Sequence, residues 1–408
     1  MAEPAYPTMI DTTVETPRDA RQFLRDSMPV TQKLAYFDHA AVAPIPQQAA
    51  QRIREYADQA TQFGDYHWLD WAKLLGRLRS RCASLVGADQ KEVGLIPNTT
   101  HGIGLIAEGF PWQPGDNMLI PANEFPSNSI PWHNLERLGV EIRRVPVPPN
   151  GEFGSGDFQK LIDKRTRLIS VSWVGYSSGF RVELASLAEL ARAHDIRLFV
   201  DAIQGLGVFP LDVNRDGVDF LAADGHKWML GPEGAGFLFV RETLLNDLAP
   251  VGTGWNSLEF GSFDPASTRI KSSVARYEGG TQCMASMHGF GESLELLSEC
   301  MTKFGDSSIA QSVLENIDQL AHRFAVAGFD VHLPANERNR SGILGVSWKN
   351  ADSKTLASAR KYLMEKGIVT SVRCERLRIS THAYNSADEI NRLVSELAEY
   401  RATVANAR

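Results

Sequence analysis

The chain has 408 residues, of which 43% are hydrophobic and 22% charged, and such a composition is ordinary for a globular protein. This length is too great for a single compact core, so we expect one large and one smaller domain. The formal net charge of −7 and the lack of any Lys/Arg run argue against a nucleic-acid-binding surface. The sequence shows neither a secretory signal pattern nor an apolar run of about 18 residues, so we expect no membrane span.

The cysteines are few and scattered. Cys82, Cys283, Cys300 and Cys374 show no CxxC spacing. A disulfide framework or a metal site is therefore not predicted, and a reducing cytoplasm is the expected location.

Helix and strand patterns alternate along most of the chain. After a polar leader that ends near Pro29, residues 47–63 and 68–86 are predicted to form amphipathic helices. Short apolar runs follow, and helical patterns such as residues 186–194 separate several of them. The predicted strands are residues 93–96, 118–120, 140–145, 168–174, 196–200, 218–222 and 235–240. This α/β alternation predicts a mostly parallel, seven-stranded sheet with helices on both faces and a ligand site at the carboxyl ends of its strands.

The pattern changes from about residue 284 onward. Long helices come first, and short strands are then predicted at 331–333, 344–348, 368–372 and 377–380, with helices at 353–366 and from 387. We therefore predict a large site-bearing domain over 31–283 and a smaller α+β domain over 284–408. The N-terminal segment, 1–30, is predicted to pack with the small domain.

The residues that can carry chemistry concentrate at predicted strand ends. Asp201 follows the apolar run of LFVDAIQGLG, and Gln204 comes three residues later. An aspartate at such a place is by itself also typical of a turn. Lys227 lies in VDFLAADGHKWMLGPEGAGFLFV, between two strands that are predicted to be buried. Burial lowers the pKa of an ammonium group, and the neutral amine that results is the form that condenses with a carbonyl.

These motifs resemble a known family. The run Asp201-Ala-Ile-Gln204, then Asp224-Gly-His-Lys227-Trp and Gly231-Pro-Glu-Gly234, is similar to the class V aminotransferase family of pyridoxal 5′-phosphate (PLP) enzymes. The similarity extends from about Tyr36 to the C-terminus. The family includes cysteine desulfurases, selenocysteine lyases, isopenicillin N epimerases and kynureninases. The resemblance implies the fold of type I PLP-dependent transferases, PLP as the cofactor and a homodimer.

The resemblance also implies roles around the cofactor ring. Lys227 would be the lysine that forms the Schiff base with PLP. Asp201 would pair with the protonated pyridine nitrogen and so make the ring an electron sink. Gln204 would hydrogen-bond the phenolic oxygen.

Phosphate contacts are implied in the same way. In IPNTTHGIGLIA, Thr99 and Thr100 match the family's phosphate-binding pair at a helix N-terminus, where backbone N–H groups favour an anion. His226 matches a phosphate-contacting position, whereas Asp224 stands where desulfurases have a serine. In ARYEGGTQCMA, Thr281 resembles the threonine that reaches the phosphate of the neighbouring subunit.

Substrate contacts form the last group that the resemblance implies. Phe125 matches the position that stacks on the cofactor ring, and Tyr176 lies where desulfurases carry an asparagine near the substrate, as a hydrogen bonder or a packed aromatic. Arg378 matches the arginine that binds the α-carboxylate of a small amino acid. Arg373 and Arg376 lie close by, and strand alternation puts residues 376 and 378 on one face, so Arg376 stays an alternative.

The reaction depends on where this sequence departs from the family. Desulfurases carry a nucleophilic cysteine on a mobile loop ahead of the carboxylate-binding arginine, but here Ile368 and Arg378 are only ten residues apart. We expect Cys374 to be a bystander thiol. The sequence therefore predicts chemistry at Cα or Cβ of a small amino acid, of the lyase, epimerase or transaminase type. The alternatives are a cysteine desulfurase or selenocysteine lyase without the usual cysteine loop, and a non-catalytic PLP-binding protein.

Overall fold

The computed structural model describes residues 19–259 and 269–406, which are called the described residues below. Their helices are α1 Ala20–Asp26, α2 Gln47–Phe63, α3 Trp68–Leu85, α4 Thr99–Gly109, α5 Ile130–His133, α6 Ser155–Gln159, α7 Leu184–Ala193, α8 Met284–Phe304, α9 Ser308–Val326, α10 Ser353–Glu365 and α11 Ala387–Asn406. Their strands are β1 Ala35–Tyr36, β2 Val93–Ile96, β3 Asn117–Pro121, β4 Glu141–Val145, β5 Thr166–Ser172, β6 Arg197–Asp201, β7 Phe220–Asp224, β8 Gly236–Val240, β9 Asp330–His332, β10 Ile343–Ser347, β11 Ile368–Val369, β12 Ser371–Arg373 and β13 Arg376–Ser380.

A seven-stranded sheet forms the centre of the fold, in the order β2-β8-β7-β6-β5-β3-β4. Strand β8 is antiparallel to both neighbours, and the pairs from β7 to β4 are parallel. Strands β2, β3, β7 and β8 are buried at every position. Strands covered on both faces read as continuous apolar runs, which is why the sequence predicted them. The predicted α/β class with a mostly parallel seven-stranded sheet is confirmed.

The carboxyl ends of the parallel strands lie at one edge of this sheet. Strand β6 ends at Asp201, β7 ends at Asp224, and β5 ends at Ser172. Strand β2, which runs parallel to β7, leads through Asn98 into α4. Polar side chains from distant parts of the sequence therefore meet at this edge.

A second sheet of four strands has the order β12-β13-β10-β9 and is antiparallel throughout. The single strand predicted over 368–372 is wrong, because the chain changes partners at Thr370. Residues of β11 pair with β1, whereas β12 pairs with β13. Cys374 and Glu375 form the two-residue turn between β12 and β13, with φ of 47° and 57°. Such a turn, left-handed at both residues, is the tight connection typical of a β-hairpin.

Helix α8 connects the two parts of the molecule. It packs against α2 and α3 on the side of the large sheet and also contacts α1 and α9. The described part of the N-terminal segment contacts the C-terminal part, since Arg25 donates to the backbone oxygen of Tyr384 and forms an ion pair with Glu389. Residues 1–18 lie outside the described residues, and the domain boundary at 283/284 stays a prediction. No helix within 19–259 or 269–406 is both long and apolar enough to cross a membrane.

Candidate active site

A cavity of about 280 Å³ opens at the carboxyl ends of the central strands. Segment 40–42, the N-terminus of α4 and the hairpin β12–β13 also contribute to its wall. The predicted site residues that line it are Thr99, Thr100, Phe125, Tyr176, Asp201, Gln204, His226, Lys227 and Arg378. Thr281 does not line this cavity; its side chain is exposed in the loop that precedes α8. The structure thus brings together nine residues from six separate stretches of the sequence.

Lys227 is buried at the floor of the cavity, with 8% of its surface exposed. Burial lowers the pKa of its ammonium group to about 8. Asp201 opposes this shift, while the nearby Arg378 and Arg373 add to it. A sizeable fraction of this amine is therefore neutral near pH 7.5, as nucleophilic attack on an aldehyde requires.

Asp201 ends strand β6 and is also buried. Burial raises the pKa of its carboxyl group to about 6, and a hydrogen bond from the Ile203 N–H and the charge of Lys227 limit the rise. The carboxylate is thus available to hold a proton on a ring nitrogen placed in the cavity.

Two neighbours, one a hydrogen-bond donor and the other an acceptor, set the orientation of the Gln204 amide. The indole N–H of Trp228 donates to Gln204 Oε1 over 2.8 Å. Gln204 Nε2 donates to the backbone oxygen of Ala40 over 3.0 Å. Since an amide nitrogen carries two hydrogens, one N–H of Gln204 is left for a ligand in the cavity.

The N-terminus of α4 offers backbone donors. Asn98 caps the helix by accepting from His101 N–H. The N–H groups of Thr99 and Thr100 have no acceptor among the described residues. The two hydroxyl groups differ: Thr100 Oγ1 donates to Ser127, whereas Thr99 Oγ1 accepts from Asp224 N–H and keeps its own O–H. The backbone N–H groups of this turn and the Thr99 hydroxyl group can therefore donate to an anion.

Asp224 and His226 bring buried polar atoms without hydrogen-bond partners to the same place. Asp224 Oδ2 lies 3.1 Å from His226 Nδ1, outside hydrogen-bond geometry. Asp224 Oδ1 and His226 Nδ1 have no hydrogen-bond partner within the described part of the chain. Buried polar atoms are nearly always hydrogen-bonded, so these two indicate that a ligand completes the site.

Phe125 and Tyr176 form the aromatic side of the cavity. Their ring centroids are 5.2 Å apart in an edge-to-face arrangement, and Lys227 Nζ lies 5.6 Å from the Phe125 centroid. Phe125 is 39% exposed, so it is not a core residue but a ring that faces the opening.

Arg378 lies on β13 and is almost completely buried. Its guanidinium donates to Asp38 Oδ1 over 3.0 Å, to Ser371 Oγ over 3.1 Å and to the backbone oxygen of Tyr176 over 2.9 Å. Ser371 Oγ in turn donates to Asp38 Oδ1. Of the five N–H donors of the guanidinium, these bonds use three, so two are left for a ligand in the cavity.

The structure distinguishes the three arginines of this region. Arg376 turns away from the cavity, towards the backbone oxygen of Pro149. Arg373 lines the cavity mouth and forms no ion pair with any described residue. Cys374, at the exposed tip of the hairpin, places its sulfur 3.9 Å from the Tyr176 hydroxyl group.

Two carboxylates that hold parts of the cavity wall in place were missed from the sequence. Asp38 follows the short strand β1, and a carboxylate at a strand end was the available signal. Glu124 precedes Phe125 and accepts hydrogen bonds from the N–H and Oγ of Ser172, at the end of β5. Burial raises the pKa of Glu124 to about 7. Glu124 thereby ties the loop that carries Phe125 to the central sheet.

These residues fit PLP. The cavity is lined by a buried amine with a lowered pKa, a carboxylate, an amide with a free N–H, the first turn of α4 and His226, whose Nδ1 has no hydrogen-bond partner among the described residues. Such a donor set matches an aldehyde, a pyridine nitrogen, a phenolic oxygen and a phosphate.

The chain is similar to known proteins over most of its length. The sequence model described as aminotransferase class-V matches residues 35–393. A probable cysteine desulfurase of Methanothermobacter thermautotrophicus is 26% identical over 395 residues, which cover 92% of this chain and 97% of that protein. A cysteine desulfurase of Escherichia coli is 28% identical over 389 residues, which cover 89% of this chain and 92% of that protein.

Solved structures share the fold. The apo structure of a cysteine desulfurase from Thermococcus onnurineus superposes with a TM-score of 0.84 at 21% identity, over 94% of this chain and 98% of that one. A cystine C–S lyase in complex with its reaction product, cysteine persulfide, gives a TM-score of 0.84 at 22% identity, and the match covers 91% of this chain and 99% of that one. With the motifs, the cavity and the family match in place, the chain belongs to the aminotransferase class-V family of PLP-dependent enzymes.

Proposed function

We propose that the chain is a PLP-dependent lyase that cleaves a bond at Cβ of a small sulfur- or selenium-containing amino acid. The observation that carries the proposal is the buried amine of Lys227, with a pKa of about 8, in one cavity with the guanidinium of Arg378. Chemistry at Cα needs both a proton acceptor and a fixed substrate carboxylate.

Each residue has a distinct task in this proposal. Bound PLP supplies the electron sink that stabilises negative charge developing at Cα. Asp201 would hold the proton on the ring nitrogen, and the Lys227 amine would take the proton from Cα of the substrate. Arg378 holds the α-carboxylate through the donors that Asp38, Ser371 and Tyr176 leave free.

The names of the relatives favour chemistry at the sulfur end of a small amino acid over the epimerase and transaminase reactions that the sequence left open. The curated relatives named above are called cysteine desulfurases, and one structural neighbour is a cystine C–S lyase. All of these proteins act on the sulfur end of a small amino acid according to their names. Epimerase and transaminase chemistry are the competing outcomes of the test.

The test is a product assay on purified protein loaded with PLP. L-cysteine, L-cystine, L-selenocysteine and L-alanine are added separately, with Lys227→Ala as the matched control. We expect a change in the visible spectrum, together with pyruvate, ammonia and a sulfur product from cystine or cysteine. Transfer of the amino group to a keto acid, or D-alanine from L-alanine, would contradict the lyase. Cofactor binding without any product would favour a non-catalytic PLP-binding protein.

A cysteine desulfurase is the second candidate, and the position of Cys374 favours it. The sulfur lies 3.9 Å from the hydroxyl group of Tyr176, a residue that lines the cavity. The tight turn at Cys374 and Glu375 stands against it, since sulfur transfer on a mobile loop needs more chain than this hairpin has. A persulfide on Cys374, trapped by alkylation and located by mass spectrometry, with alanine as the product, would establish the desulfurase.

We also propose a homodimer in the cytoplasm. An exposed Thr281, outside the cavity of its own chain, is free to reach a neighbouring subunit. The four cysteines are all unpaired, as is usual in a reducing compartment. Light scattering of the holoenzyme tests the dimer, and a Thr281→Val variant with unchanged PLP affinity would remove this threonine from the phosphate site.

A further inference from the structure

We infer that Trp228 is a positioning residue that fixes the amide orientation of Gln204 and so directs one N–H of Gln204 into the cofactor cavity. The inference rests on the proposed site, because Gln204 matters there as a donor to the cofactor. It assigns to Trp228 a role that neither the motif nor the cavity lining shows, since Trp228 does not line the cavity.

The hydrogen bonds admit one orientation of the amide. An indole N–H can only donate, and a backbone oxygen can only accept. Trp228 Nε1 therefore selects Gln204 Oε1, and Ala40 O selects Gln204 Nε2. A flipped amide would set two donors against each other at Trp228 and two acceptors at Ala40. Gln204 and Trp228 are both buried, so water does not replace the lost partners.

The indole itself is held from several sides. Its ring stacks on His382 at 6.2 Å between centroids with a 25° tilt, and His382 Nε2 lies 3.2 Å from the Trp228 backbone oxygen. A Cβ on Gly342 would lie 2.4 Å from the indole, so only glycine leaves room for the ring there. A Cβ on Gly207, where φ is +91°, would lie 2.4 Å from the Trp228 backbone oxygen.

This packing joins the two parts of the molecule at the cofactor site. His382 and Gly342 border β13 and β10 of the four-stranded sheet, whereas Gln204 follows β6 of the central sheet. Ala40, the second partner of Gln204, is in turn fixed by Ser380, whose Oγ accepts from Ala40 N–H. The donor that faces the cavity is thus set by residues of both sheets.

The first test uses the apoprotein, so it does not depend on catalysis. Selective ¹⁵N-tryptophan labelling gives one indole N–H signal for each of the eight tryptophans. Gln204→Leu should move the Trp228 signal, which is the one absent from Trp228→Phe. The matched control is Asn128→Leu, because Asn128 accepts from the buried indole of Trp132 over 3.0 Å. That variant should move the Trp132 signal and leave the Trp228 signal in place.

The second test follows the cofactor by absorbance. In Trp228→Phe the visible band of bound PLP should titrate with its pH midpoint moved upward by about one pH unit, as expected for losing one hydrogen bond to a charged oxygen. Trp132→Phe, which removes a similar buried bond elsewhere, should leave the midpoint unchanged.

A Trp228 signal that does not move in Gln204→Leu, or equal midpoints in both tryptophan variants, would overturn the inference. If Trp228→Phe does not fold, the Trp228 signal is assigned in the wild-type protein by its contacts with His382, and the Gln204→Leu comparison still decides. Failure to bind any PLP in the wild type would refute the proposed function instead and leave the apoprotein result standing.

Discussion

Removing Arg378 should damage substrate binding and folding at the same time. Its guanidinium and the carboxylate of Asp38 have side chains that are 3% and 11% exposed. Breaking a buried pair by deleting one partner costs about 3–5 kcal/mol in the free energy of unfolding, because the other charge stays buried without its partner. Each charge-assisted hydrogen bond to a substrate carboxylate is worth about 1.5–3 kcal/mol, so kcat/KM should fall by about 10- to 150-fold per bond lost.

Two measurements separate these effects. Urea unfolding of the apoproteins gives the stability of Arg378→Ala and of the double variant Asp38→Ala/Arg378→Ala. The double variant should recover part of the lost stability, since it no longer buries a lone carboxylate, while its kcat/KM stays low. Steady-state kinetics on the best substrate from the product assay should show the loss mainly as a higher KM.

Arg376→Ala is the matched control, because it removes an arginine two residues away on the same strand. The Arg376 side chain forms one hydrogen bond to the described residues, to the Pro149 backbone oxygen, so Arg376→Ala should leave KM unchanged and alter the free energy of unfolding by no more than a few tenths of a kcal/mol. The reasoning would be refuted by an equal rise in KM for both arginine variants, or by a normal kcat/KM in Arg378→Ala.

Four further predictions concern Lys227, Asp201 and Cys374. PLP uptake by the apoprotein should accelerate with rising pH and level off above about pH 8, because the Lys227 ammonium group loses its proton there. A lysine with the ordinary pKa of 10.5 would have a roughly 200-fold smaller neutral fraction near pH 7.5. Borohydride reduction and peptide mapping should label Lys227, and a label on another lysine would contradict the assignment. Asp201→Asn should lower turnover by several orders of magnitude while some cofactor still binds, because the protonated ring nitrogen loses its counter-charge; near-normal rates would refute that role. Cys374→Ser should retain most turnover, and its complete loss, with a persulfide trapped on the wild type, would identify the desulfurase instead.

Much of the fold could be predicted from local sequence. The bounds of α2 and α3 and the apolar runs of the central sheet followed from periodicity, since burial on one face or on both is written into neighbouring residues. The motifs placed Lys227, Asp201 and Gln204 at strand ends, and a parallel sheet gathers such ends at one edge. The class of cofactor could be predicted from the same motifs.

The tertiary structure alone decided which polar groups meet. Asp38 and Arg378 are 340 positions apart, and Gln204 and Ala40 are 164 apart, so no local pattern relates them. The choice between Arg376 and Arg378 also lay beyond the sequence, because strand alternation puts both on one face and only the position of the hairpin aims Arg378 at the cavity. The split of the strand at residue 370 has the same origin, since pairing partners come from distant strands. Spacing in the sequence determines which residue types lie at strand ends, whereas packing between the two sheets determines which partner each side chain finds.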